Sequence, residues 1–166
     1  MLDKGQSVYI HSNNSMKTSK PSRPAVIAPL PCACSNLRRA ARAVTQMYAK
    51  QLRATGLEPT QLTLLMALDL SGEITQGSLG EMHALDSTTL TRSLGRLREQ
   101  GWAVNRPGQD RRERLWRLTA AGRRELESAR PLWERAQKQL RKKLGREDWN
   151  RLDALLSRVT AAAEAG

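Results

Sequence analysis

Residues 74–119 read ITQGSLGEMHALDSTTLTRSLGRLREQGWAVNRPGQDRRERLWRLT, and their apolar spacing changes from helical to alternating along the way. Thr75 is suited to capping a helix. Ile74 before it and Leu79 at the fourth helical position have the spacing of a hydrophobic staple. Leu79, Met82 and Leu85 share one face, which predicts its burial. Asp86 then stands where a carboxylate accepts the free N–H groups of a second helix. In that helix Leu90, Leu94 and Leu97 recur at helical spacing. The opposite side carries Thr88, Arg92 and Gly95, flanked by Ser87, Thr89, Thr91 and Arg96. Taken alone, this is an ordinary amphipathic helix with a solvated polar face.

The segment C-terminal to this helix tips the balance away from that reading. Gly101 ends the helix, and Trp102, Val104 and Arg106 alternate as a strand. Pro107-Gly108-Gln109-Asp110 predicts a turn, and Arg114–Leu118 the return strand. This hairpin carries Arg106, Arg111, Arg112, Arg114 and Arg117 against Asp110 and Glu113. An arginine surplus on a hairpin tip suits phosphate or minor-groove contact better than mere solubility. Beside it, short hydroxyls and an arginine near a helix N-terminus suit reading base edges in a major groove. Threonine offers a hydroxyl and a methyl, and arginine can grip guanine with two hydrogen bonds. Gly95 weakens the helix, and close approach of a partner is one reason to keep it there.

The whole chain has 166 residues, enough for one domain with a real core. Its net charge of +12 favours a polyanionic partner. No apolar run approaches membrane-spanning length, no secretory signal is visible, and two cysteines make no secreted disulfide framework. A cytoplasmic location is the simplest expectation. Phenylalanine is absent and aromatics are 4% of residues, which argues against the stacking platforms of single-stranded nucleic-acid binders.

Residues 1–31 are polar, basic and dotted with proline, and predict a flexible basic arm. A start at Met16 would leave the first fifteen residues as a leader. Residues 34–55 predict a helix with Leu37, Ala40, Ala41, Val44, Met47, Tyr48 and Leu52 on one broad stripe. Gly56 stops it, and Pro59 opens a second helix, apolar almost all round and therefore central. Thr119 caps a long helix reaching Leu144, with a seam of Leu126, Ala129, Trp133, Ala136, Leu140 and Leu144 and an expected bend at Pro131. Gly145 breaks it, and Trp149, Leu152, Leu155, Leu156 and Val159 mark a last helix. The leftover apolar stripes at both ends predict a homodimer interface rather than a monomeric bundle.

The order of these elements resembles the MarR family of winged-helix regulators over about residues 33–163. Its most specific segments are Ile74-Thr75-Gln76, Asp86–Arg92, Asp110-Arg111-Arg112 and Leu118–Arg123. Gly80 and Ala84 stand where the family more often has alanine and a turn glycine. The resemblance implies dimeric repressors, less often activators, released from operators by a small ligand or by cysteine oxidation. It places Ser87, Thr88, Thr89, Thr91 and Arg92 in the major groove and Arg112 in the minor groove, oriented by Asp110. With Gln76, Arg96, Arg111 and Arg114 these make up the candidate DNA-contacting set.

Cys32-Ala33-Cys34 opens the first helix, with Arg38 and Arg39 following. A helix N-terminus and nearby cations both favour a thiolate, which peroxides oxidise to a sulfenic acid that a second thiol can capture. In the organic-hydroperoxide-sensing branch that the chain resembles, the reactive cysteine lies at this helix start. Cys34 and Tyr48 match that cysteine and the distal tyrosine, while Arg38 stands where the nearer tyrosine would be. Two unremarkable thiols are the competing reading. A bridge within Cys32-Ala33-Cys34 would be strained, which favours a disulfide between subunits. A metal site is weaker, because His11 and His83 lie at no ligand spacing.

The sequence thus predicts a mainly α fold with a small β-hairpin wing. Residues 59–118 form a winged helix-turn-helix DNA-binding domain, and 32–58 and 119–166 are dimerisation helices. The expected function is a non-enzymatic, cofactor-free homodimer that binds palindromic double-stranded DNA and regulates transcription, its effector a peroxide or small molecule. A thiol peroxidase built on Cys34 and a non-specific nucleic-acid binder are the alternatives.

Overall fold

The computed structural model describes residues 32–110 and 113–165. The arm at 1–31 lies outside the described residues, as do Arg111 and Arg112 of the hairpin. The chain begins with α1 (Ala33–Leu52), which tightens into a 3-10 turn at Arg53–Thr55. Then come α2 (Pro59–Ser71), β1 (Glu73–Thr75), α3 (Gln76–His83) and α4 (Ser87–Glu99). The strands β2 (Ala103–Pro107) and β3 (Arg114–Leu118) precede α5 (Ala120–Leu144) and α6 (Arg146–Glu164).

Helix α2 is central because it has no polar face. Leu62, Leu64, Leu65, Ala67 and Leu68 are all buried, and α1, α4, α5 and two strands pack around it. Pro59 stands at its first position, where a missing N–H costs nothing. Glu58 and Gln61 close a reciprocal capping box there, with Gln61 Oε1 accepting from Glu58 N at 2.9 Å. The core around it is built from leucines, joined by Trp116 and completed by Leu52, Leu57, Leu126 and Ala129 from the flanking segments.

The sheet has three strands rather than the two of a simple hairpin. Residues 73–75 add an edge strand, so that the order is β1-β3-β2, antiparallel throughout. Three residues are too few to show alternation, and Ile74 sits opposite Trp116 only because the fold brings them together. Met82, expected inside, is 53% exposed. Leu79 of α3 and Leu85 of the turn after it pack against the core, and Met82 is turned off that side.

Thr119 joins the sheet to α5. Its Oγ1 accepts from Gly122 N at 3.0 Å and donates to Gly101 O at 2.7 Å. Gly122 is required by close approach: a Cβ there would stand 2.0 Å from the Trp102 carbonyl oxygen. Beyond this point α5 runs through Pro131 as one helix. Its seam is buried at Leu126, Ala129 and Ala136, half-buried at Leu140 and open at Leu144. Helix α6 buries no residue, and Leu155 and Leu156 are 56% and 44% exposed. An open groove of about 900 Å³ lies between α1, α5 and α6, walled by Leu37, Val44, Tyr48, Leu140, Trp149 and Leu156 among others.

Candidate nucleic-acid interface

Helices α3 and α4 are set by their caps and by the turn between them. Thr75 Oγ1 accepts from Ser78 N at 3.0 Å and starts α3. The turn is made at Ala84, which adopts a left-handed conformation (φ 47°, ψ 42°) and closes α3 through Ala84 N to Glu81 O. An alanine in the place of a turn glycine therefore does not change the geometry; it occupies it at a steric cost. Gly80 has room for a methyl group, its nearest neighbour being Leu90 Cδ2 at 3.4 Å from a built Cβ.

Asp86 caps α4 with both carboxylate oxygens. Oδ1 accepts from Thr88 N at 3.1 Å and Thr89 N at 2.9 Å, and Oδ2 accepts from Thr89 Oγ1 at 2.6 Å. These bonds, the Thr89 hydroxyl foremost, hold the Asp86 carboxyl below the usual carboxylate range. One of the candidate hydroxyls, that of Thr89, is thus engaged at the cap.

Leu90, Leu94 and Leu97 anchor α4 to the core. With that face fixed, Ser87, Thr88, Thr91 and Arg92 come out together around one open depression. Gly95, one turn on, meets nothing within 4 Å of a built Cβ, so the chain itself does not require glycine there. Arg96 is turned away from this group and pairs with Glu58 at 3.3 Å.

A second hollow runs between the starts of α3 and α4 and the wing, with Thr75, Gln76, Ser87, Glu113 and Arg114 on its rim. The hairpin turns through Glu113 N to Asp110 O (2.9 Å) and Gly108 N to Glu113 O (3.1 Å), and Arg114 leaves it exposed on β3. Arg106 does not share the tip. Its guanidinium grips Glu73 on β1 in two hydrogen bonds, one of 2.9 Å. That bond keeps the Glu73 carboxyl below its ordinary range. Sequence spacing could not show this counter-charge, because Glu73 reaches Arg106 only across the three-stranded sheet.

Gln76 is held at both ends. Its Oε1 accepts from Trp116 Nε1 at 3.2 Å, and its Nε2 donates to Thr91 Oγ1 at 2.9 Å. This link between wing strand and second helix was not legible in any periodicity.

Cys32 and Cys34 are both free and exposed at the start of α1. Tyr48 is half-buried at the groove, and burial raises its phenol above the ordinary value. Cys34 and Tyr48 stand fourteen helical positions apart, about 21 Å along the axis, so one protomer does not bring them together. Among the described residues no cluster of three or more His, Cys, Asp or Glu could hold a metal ion, and no helix is long and apolar enough to cross a membrane.

The family model described as MarR family matches residues 55–113, the stretch that holds α2 to the hairpin tip. An uncharacterized HTH-type transcriptional regulator, YwoH of Bacillus subtilis, is 32% identical over 91 residues, which span 55% of this chain and 66% of YwoH. Among solved structures, the M. tuberculosis transcriptional regulator MosR in complex with DNA is 37% identical, with a TM-score of 0.74 over 81% of this chain and 97% of MosR. A point mutant of MarR from E. coli complexed with operator DNA is 25% identical, with a TM-score of 0.68 over 75% and 90% of the two chains. Sequence, element order and the two-helix reading unit agree, and the chain belongs to the MarR family of winged helix-turn-helix transcriptional regulators.

Proposed function

We propose that this protein binds duplex operator DNA sequence-specifically as a cytoplasmic homodimer and acts as a repressor. The observation that carries the reading is the group Ser87, Thr88, Thr91 and Arg92, exposed together on a helix whose other side is locked in the core. Gln76, Thr89, Arg96, Asp110, Arg111, Arg112 and Arg114 complete the proposed contact set. In this reading Arg112 and Arg114 follow the backbone or minor groove while α4 lies in the major groove. The DNA complexes of MosR and MarR support the assignment by likeness. The exposed apolar faces of α1 and α6 support the dimer, and a twofold dimer reads a palindrome.

Charge alone is the poorer account. Between residues 59 and 118 eight arginines meet seven carboxylates, a net of +1. A non-specific binder would concentrate its surplus there.

The test is a mobility-shift comparison of duplexes at moderate salt. Wild type retains one sequence over scrambled duplexes, and Arg92→Ala costs about 1–3 kcal/mol and relaxes preference at one base pair. Equal affinity for every duplex contradicts specific recognition. For release we favour oxidation of Cys34, captured by Cys32 of the second subunit, or a small ligand. Peroxide then weakens operator binding and Cys34→Ser abolishes the response. A serine variant that still responds points to the small ligand.

A further inference from the structure

The Gln76 link fixes more than the position of Thr91; it fixes the direction of its hydroxyl. An indole N–H only donates, so Trp116 Nε1 at 3.2 Å must meet the carbonyl end of the Gln76 amide. The amide nitrogen is thereby turned to Thr91 Oγ1 at 2.9 Å, and because it only donates, the threonine oxygen must accept. A hydroxyl that accepts there still has its own proton to place. Thr63, Ser157 and Thr160 give theirs to the helix carbonyl one turn back. Among the described residues no acceptor takes the Thr91 proton, and its side chain opens onto the depression shared with Ser87, Thr88 and Arg92.

We infer that Gln76, oriented by Trp116, is a specificity-determining positioning residue that makes Thr91 a hydrogen-bond donor toward the base edge it meets. This rests on the reading of α4 as the base-reading helix. Guanine through O6 or N7, thymine through O4 and adenine through N7 all present an acceptor in the major groove, whereas cytosine presents only its N4 donor, so the base that Thr91 rejects is cytosine. Gln76 acts through Thr91, with its own amide engaged at both ends. Trp116, 4% exposed beneath the sheet, lets the wing strand set the chemistry of a helix it does not belong to.

The experiment is selection from a pool of random duplex DNA with the full-length protein, read by sequencing. Wild type enriches a motif, and Thr91→Val flattens one base pair of it, which identifies the contact. At that position wild type disfavours cytosine. Gln76→Glu replaces the donating nitrogen with an accepting oxygen; Trp116 still holds one carboxylate oxygen, and Thr91 must donate to the other. Its lone pairs then face the groove, and cytosine, through its N4 donor, gains about fivefold over guanine or thymine, whatever the loss in overall affinity. Trp116→Phe removes the orienting donor and leaves the four bases nearly even at that base pair, with the rest of the motif kept. No gain of cytosine in Gln76→Glu, undiminished preference in Trp116→Phe, or no change in Thr91→Val overturns the inference while the regulator reading stands. Absence of any wild-type motif overturns both.

Discussion

The winged unit and the helices that flank it solve different problems with opposite compositions. In the unit, residues 59–118, leucines close a core around α2 and three carboxylates are engaged in structure. Asp69 meets Arg123 and Arg130 of α5, Glu73 meets Arg106, and Asp86 caps α4. In the flanking segments, residues 32–58 and 119–166, sixteen cations stand against eight carboxylates, and apolar faces remain open on α1 and α6. The unit's core closes with leucines lent by the flanking segments, whereas those segments keep apolar faces of their own uncovered. The difference teaches that the net charge of +12 belongs chiefly to segments away from the reading helix. On the proposed reading, selectivity comes from placed hydroxyls and a few arginines, with the wider positive field adding attraction to DNA of any sequence.

The contrast can be broken most forcefully where the two regions meet. Gly122→Ala places a methyl group against the Trp102 carbonyl, so α5 must lift from the sheet. We expect a loss of more than about 3 kcal/mol in denaturant unfolding. Next in size is Leu156→Glu on α6, a change on the open groove. It should weaken self-association by about 2 kcal/mol or more in sedimentation equilibrium, with circular dichroism unchanged. Loss of helical signal would instead make that face part of the folded monomer.

Smaller effects sharpen the account of the turn and the cap. Ala84→Gly relieves a left-handed alanine and should raise stability by up to about 1 kcal/mol, the gain offset in part by the freer unfolded chain. Asp86 has a depressed carboxyl in the folded chain, so its contribution is present above the unfolded value and is lost as pH falls through the folded one. Below about pH 4, wild type should lose stability more steeply than Asp86→Asn, which caps without titrating. Parallel profiles would exclude the cap as the titrating element.

Much of this was legible in the sequence because it is local. Thr75, Asp86, Pro59 and Thr119 mark helix starts through their own chemistry, and the 3.6-residue period of Leu90, Leu94 and Leu97 sets the face left for reading. What stayed hidden is what the fold brings together over distance. β1 is too short to signal itself, and the Glu73–Arg106 and Glu58–Arg96 pairs join residues more than thirty positions apart. Gln76 looked like one more polar residue near the groove, and its two partners lie 15 and 40 positions away. Met82 failed for the opposite reason: a period says which residues share a side, and an eight-residue helix need not bury all of it.

The central claim is that two copies of α4 read one face of a duplex from a twofold dimer. Hydroxyl-radical and methylation footprinting of the selected duplex tests it most directly. The account predicts two symmetric protected segments with major-groove protection centred about 10 base pairs apart, each flanked by backbone protection from the wing. A single protected segment, or even protection along the whole duplex, would contradict it.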